Sequence, residues 1–230
     1  MSSPLEHKHL AFFDYDNDPS WRVFRVMAEF VKGMTLLSRL EQTVTFFGSA
    51  RLKPEHPYYE LARQIGQRVA QHGYTVVTGG GPGIMQAGNQ GAYEAGGQSV
   101  GINIKLPFEQ GTNKYVKESE YFDYFFIRKF MLDYSAQAYL FFPGGFGTMD
   151  ELFESLTLIQ TGRMERVPFL LFGRAFWEKI INWEALADAG TISEEDLDLF
   201  RFVETAEEAI HIIDNWEPAP PRDSLPGRDE

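Results

Sequence analysis

The sequence predicts an α/β fold: a doubly wound, Rossmann-like parallel sheet with helices on both faces. Three observations carry that reading. Short, nearly continuous apolar runs alternate with stretches of helical periodicity, as expected of strands buried on both faces and joined by right-handed crossovers. Glycine clusters stand where these runs end, and the carboxyl ends of parallel strands form the rim at which open α/β sheets bind ligands. The chain of 230 residues, 43% hydrophobic, has no internal repeat and no mid-chain linker that would indicate another architecture.

Residues 1–19 alternate aromatics with Asp, Asn and Pro and read as an irregular arm; residues 20–215 read as one domain, and residues 216–230, "WEPAPPRDSLPGRDE", as a Pro-rich tail. The stretch "WRVFRVMAEFVKGMTLLSRL" spaces Val23, Val26, Met27, Phe30, Met34 and Leu37 by three and four, which predicts an amphipathic helix. "TVTFFG" is a first strand, "PYYELARQIGQRVAQHG" a helix with a glycine stop, and "YTVVTGGG" a second strand. "GIMQAGNQGAYEAGG" reads as a helix rich in small residues and "QSVGINI" as a third strand. Residues 105–120 read as a long irregular loop, a candidate functional segment. "AYLFFP", "VPFLLFG" and "FRFVE" then supply a fourth, fifth and sixth strand.

Composition narrows the functions. A net charge of −12 opposes binding to a nucleic-acid backbone or an anionic bilayer. It does not oppose a small phosphate, because helix N-terminal N–H groups act at contact distance while net charge is screened over about 8 Å. The absence of cysteine removes disulfides, thiol nucleophiles and cysteine-ligated zinc, and fits a reducing cytoplasm. No apolar run is long enough to span a bilayer, and the first residues lack a signal-peptide pattern. The five histidines are scattered, without metal-ligand spacing.

The glycine loops hold the chemistry. Gly79, Gly80, Gly81 and Gly83 surround Pro82 just before a helix begins near Ile84. That is either a phosphate nest or a tight strand-to-helix turn. The stretch is not G-x-G-x-x-G, and no G-K-[ST] follows it, which argues against dinucleotide oxidoreduction and P-loop hydrolysis. "GQSVG" matches a nucleophile elbow by letters only, since Ser99 opens a strand. "PGGFGTMDE", residues 143–151, follows the fourth strand. Its Thr148-x-x-Glu151 spacing fits a helix capping box, in which Glu151 reaches back to the helix start; alternatively the same carboxylate faces a ligand across Gly144, Gly145 and Gly147. Arg128 and Lys129, in "FFIRKFML", form an adjacent basic pair set among bulky apolar residues.

These motifs, in this order over about residues 42–190, resemble the LOG family of cytokinin riboside 5′-monophosphate phosphoribohydrolases. "PGGFGTMDE" fits the family's P-G-G-x-G-T-x-x-E motif, "GGGPGIM" its second glycine loop and "RK" its basic pair. The resemblance implies Arg128 and Glu151 as the catalytic pair, and Gly144, Gly145, Phe146, Gly147 and Thr148 as the nucleotide cradle. It further implies Gly80, Gly81 and Gly83 as the second loop, and Ser49, Glu109, Lys129 and Thr157 as further substrate contacts. The implied reaction is hydrolysis of the N-glycosidic bond of AMP or an N6-modified AMP, with no metal or organic cofactor, in a homo-oligomer. The alternative on the same fold is a nucleotide or molybdenum-cofactor carrier. The N-terminal helix, the Pro-rich tail and the "LPFEQGTNKY" loop depart from the plant enzymes and resemble a longer bacterial-type member.

Overall fold

The computed structural model describes residues 19–106, 111–134 and 136–217. Seven strands form one sheet: β1 (Thr43–Phe47), β2 (Thr75–Thr78), β3 (Ser99–Ile104), β4 (Glu118–Phe122), β5 (Ala136–Phe141), β6 (Phe169–Phe172) and β7 (Arg201–Val203). They lie in the order β4-β3-β2-β1-β5-β6-β7, and every pair is parallel. The chain builds outward from β1 to β4 and then returns to β5 on the other side of β1. The order therefore reverses between β1 and β5, at a topological switch point.

Side chains along each central strand alternate between two cores. Val44, Val76, Ala138, Leu140, Leu170 and Phe172 enter one, whereas Phe47, Val77, Tyr139, Phe141, Phe169 and Leu171 enter the other. Burial on both faces is why these strands read as continuous apolar runs. The first core is closed by α2 (Pro57–Gln71), α3 (Ile84–Glu94) and α8 (Ala206–Asp214). The second is closed by α1 (Pro19–Leu37), α4 (Phe125–Tyr134), α5 (Phe146–Gln160), α6 (Arg174–Ile180) and α7 (Trp183–Asp188). The small residues of α3 have a packing purpose: a Cβ on Gly66 of α2 would lie 2.4 Å from Gly88 O, and one on Gly91 would lie 1.9 Å from Arg63 O.

Two sequence expectations are corrected. The irregular loop ends sooner than its composition indicates, because residues from Glu118 onward form β4 at the sheet edge. Glu118, Ser119 and Glu120 carry no apolar signal, since an edge strand needs none on its open side. Helix α1 buries four of the six residues its spacing marks, with Leu36 added, and leaves two outside. Val26, Phe30, Met34, Leu36 and Leu37 pack inward, while Val23 and Met27 are 58% and 56% exposed.

Polar contacts hold α1 in place. The buried Glu29 carboxylate accepts hydrogen bonds from Asp123 N at 2.8 Å and Tyr124 N at 3.4 Å, just ahead of α4. Burial raises its pKa, opposed by these backbone donors. Lys32 and Arg39 pair with Glu120 and Glu118 of β4. No described helix is long and apolar enough to cross a membrane.

Candidate active site

Four strand ends meet at one rim, and backbone hydrogen bonds tie three of them together. Ser49, after β1, donates its N–H to Pro143 O at 3.0 Å and accepts at its own carbonyl from Ile84 N at 3.1 Å. It thus joins the Pro143–Gly147 turn to the Gly79–Gly83 turn across the switch point. Gly80 and Gly83 adopt φ of +73° and +67°, which side chains disfavour. A Cβ on Gly80 would also strike Asn103 Oδ1 at 1.6 Å.

A polar network behind this loop holds its shape. Thr78 Oγ1 accepts from Gly80 N at 2.9 Å and donates to Asn89 Oδ1 at 2.7 Å. Asn113 Nδ2 reaches Gly80 O at 3.1 Å, Gly81 O at 3.0 Å and Asn89 Oδ1 at 3.0 Å. Asn89 and Asn113 are nearly fully buried, so these bonds replace water that the groups lost on folding. Beside the loop lies a cavity of ≈ 320 Å³, walled by Gly79–Gly81, Met85, Asn103, Thr112, Tyr121 and Arg128.

Arg128, projecting from α4, closes the inner end of that cavity. Its Nε donates to Ile102 O at 2.9 Å, and its Nη2 would lie 2.3 Å from a Cβ on Gly79. The glycine is what lets the guanidinium lie against the loop. Behind Arg128 stands Glu151, with Oε1 at 3.7 Å from Nη1. That distance is an ion pair but too long for a direct hydrogen bond. Glu151 is 5% exposed, and its Oε2 has no hydrogen-bond partner.

The electrostatics follow from that burial. Desolvation pushes the Glu151 carboxyl up to about 7, with Arg128 and Lys129 pulling it partly back and Asp133 and Asp150 adding to the rise. Desolvation likewise lowers Arg128, opposed by Glu151. Both partners report that burial outweighs their mutual attraction. Asp133, also buried, is raised to about 6, mainly by desolvation, although Ser155 Oγ donates to its Oδ1 at 2.8 Å.

The capping-box reading of Glu151 is overturned. Helix α5 begins at Phe146 with Gly145 as its N-cap, so Thr148 already lies inside the first turn, and its side chain packs against Gly144. Glu151 is one turn further on and faces α4. Gly145, Phe146 and Gly147 are exposed, Phe146 at 95%. The N–H groups of Phe146 and Gly147 meet no backbone acceptor among the described residues, which makes this helix start an available anion seat.

Other expected contacts lie elsewhere. Lys129 Nζ is held by Asp150 at 3.0 Å and by Glu154. Burial works against its charge, but those two carboxylates keep its pKa above the ordinary value. Thr157 is exposed on another face of α5, bonded to Phe153 O at 2.6 Å, and does not join the Arg128 cavity. Glu109 lies outside the described residues. The sequence reading missed Asn89, Asn103, Asn113 and Asp133, which no local motif marks; their partners come from other strands, loops and helices of the fold.

Fold and site together define a Rossmann-like α/β protein with a glycine-walled site at the switch point and a buried carboxylate behind a buried guanidinium. The chain belongs to the LOG family: a family model described as "possible lysine decarboxylase" matches residues 85–213. It is 30% identical over 170 residues to the cytokinin riboside 5′-monophosphate phosphoribohydrolase of Mycobacterium marinum, covering 72% of this chain and 86% of that one. It is 26% identical over 184 residues to the rice enzyme of the same name, covering 79% and 76%. Among solved structures, the molybdenum cofactor carrier protein of Chlamydomonas reinhardtii shares the fold, with a TM-score of 0.56 at 22% identity over 76% of this chain and 96% of that one.

Proposed function

We propose that this protein hydrolyses the N-glycosidic bond of a nucleoside 5′-monophosphate, AMP or an N6-substituted AMP, to the free base and ribose 5-phosphate. One observation carries the reading: Glu151, in the helix that follows "PGGFGT", is buried beside Arg128 with one carboxylate oxygen unpartnered. The names of the curated relatives support the same reaction.

The 5′-phosphate sits at the N-terminus of α5, bound by the N–H groups of Phe146 and Gly147, and this remote contact orients the bond to be broken. The C1′–N9 bond breaks with its electron pair leaving on the base, so positive charge develops on the ribose ring, as in glycoside hydrolysis. Glu151, ionised, stabilises that charge and orients the water whose oxygen joins C1′; one proton of that water stays on the new C1′ hydroxyl and the other passes to the departing base. Arg128 holds the nucleotide against the Gly79–Gly81 loop and balances charge on the leaving base. Ser49 ties the two glycine turns together, and the Asn89–Asn113 network holds the shape of the Gly79–Gly83 turn. Decarboxylation through a lysine Schiff base has no support at the rim, since Lys129 is engaged by Asp150 and Glu154. The exposed Phe125, Phe126 and Phe153 support a homo-oligomer.

The test is chromatography of AMP, N6-isopentenyl-AMP and adenosine incubated with the protein. Base released from a monophosphate but not from adenosine supports the reading. Intact monophosphate recovered bound to the protein after long incubation refutes hydrolysis and favours a carrier.

A further inference from the structure

Helix α1 has two apolar faces, and the fold uses one of them. Its inner face docks on α4 and β4, with Gly33 so close to Met131 that a Cβ would fall 2.5 Å from the sulfur. On the opposite side Trp21, Phe24, Ala28, Val31 and Thr35 are all exposed; the three largest are Trp21 at 64%, Phe24 at 59% and Val31 at 66%. These positions repeat by three and four, which is the a/d seam of a heptad. A surface helix with only one partner shows a single apolar stripe. The outer seam therefore has the form of a second packing surface.

We propose that this outer seam packs against the same seam of a second copy of the chain, α1 to α1 across a two-fold axis. A heptad stripe is self-complementary, as an isologous contact requires. The seam with Val23 and Met27 beside it exposes roughly 500 Å² of apolar surface, taking about 100 Å² per half-exposed large side chain. Two copies together would bury about 1,000 Å², the area a specific interface needs. Trp21 already rests on Phe24, with ring centroids 5.7 Å apart. Thr35 Oγ1 is satisfied by Val31 O at 2.7 Å, so covering it leaves no unpaired hydroxyl. A membrane is a poor occupant, since the chain carries a net charge of −12. Helix α1 also lies outside residues 85–213 matched by the family model.

The absence of cysteine makes the test direct. Ala28 stands midway between Trp21 and Thr35, so parallel and antiparallel seams both bring it near the axis. Ala28→Cys in the full chain, oxidised at micromolar concentration, should give a covalent dimer as its main species. Gln71→Cys, exposed on the opposite layer, should give only background. Phe24→Glu combined with Val31→Glu, both at exposed positions, should halve the mass seen by light scattering while leaving circular dichroism unchanged. An Ala28→Cys variant that cross-links no better than the Gln71→Cys variant, as it would if residues 1–18 or an unrelated partner covered the seam, overturns the proposal. So does an unchanged mass in the folded double variant.

Discussion

Replacing Glu151 by Gln should make the protein's stability less sensitive to pH, by an amount the site's burial sets. Raising a carboxyl from its ordinary 4.5 to about 7 means that the folded state holds its proton more tightly than the unfolded state. Stability is then greatest at low pH and is lost as pH rises from 4.5 through 7. The full cost of ionising Glu151 in the folded protein is about 3 kcal/mol, most of which accrues between pH 5 and pH 8. The groups facing it are Arg128, Lys129, Asp133 and Asp150. Arg128 and Lys129 stay charged throughout this range. Asp133, raised to about 6, titrates in both proteins and largely cancels in the comparison. The attraction between Arg128 and Glu151 exists only while Glu151 is ionised and is already contained in its net shift, so losing it adds no separate pH dependence to the comparison. The assay is calorimetric or fluorescence-detected melting of both proteins at pH 5 and pH 8. Relative to wild type, the variant should gain about 5–10 °C on going to the higher pH, at ~2–4 °C per kcal/mol for a chain of this size. An offset equal at the two pH values would refute the burial argument.

Four further outcomes follow from the same geometry. For a nucleoside monophosphate, kcat/KM should fall below about pH 7 as Glu151 takes up its proton in the free protein; a rate constant flat from pH 5.5 to 8 would contradict the role of its charge. Gly147→Ala meets nothing within 4 Å, so melting should be unchanged or slightly raised, while calorimetric titration with AMP should show affinity lowered about tenfold or more if phosphate approaches that backbone. Asn113→Ala removes three bonds to the glycine loop and Asn89, which should cost about 1–3 kcal/mol in denaturant titration and raise KM. Gly91→Ala forces α3 away from Arg63 O; it should lower stability by about 1–3 kcal/mol despite the ~1 kcal/mol helix gain, and a melt equal to wild type would contradict the close approach of α2 and α3.

The sequence made the central strands and both glycine turns legible because burial on two faces leaves a continuous apolar run, and because tight turns restrict residue choice. Edge strand β4 was hidden for the converse reason: Glu118 and Glu120 pair with Arg39 and Lys32, and no periodicity encodes a partner so distant in sequence. The start of α5 was misplaced because Thr148 and Glu151 satisfy a capping-box spacing that Gly145 pre-empts. Arg128 and Glu151 could be singled out, but not their burial or the 3.7 Å between them. Asn89, Asn113 and Asp133 act through contacts across the fold and left no local mark. In α1 the spacing groups Val23 and Met27 with Val26, Phe30, Met34 and Leu37 on one face, whereas Val23 and Met27 border an outer seam. A helix with two apolar faces defeats a reading that assumes one.

Single-turnover release of base from AMP by wild type and by Glu151→Gln, with AMP affinity measured separately by calorimetry, tests the central claim most directly. The buried carboxylate should matter to bond cleavage and little to binding: AMP affinity should stay within about tenfold, while base release falls by at least ~100-fold, about 2.7 kcal/mol of lost transition-state stabilisation. Equal rates of release from the two proteins, with AMP bound equally well, would contradict it.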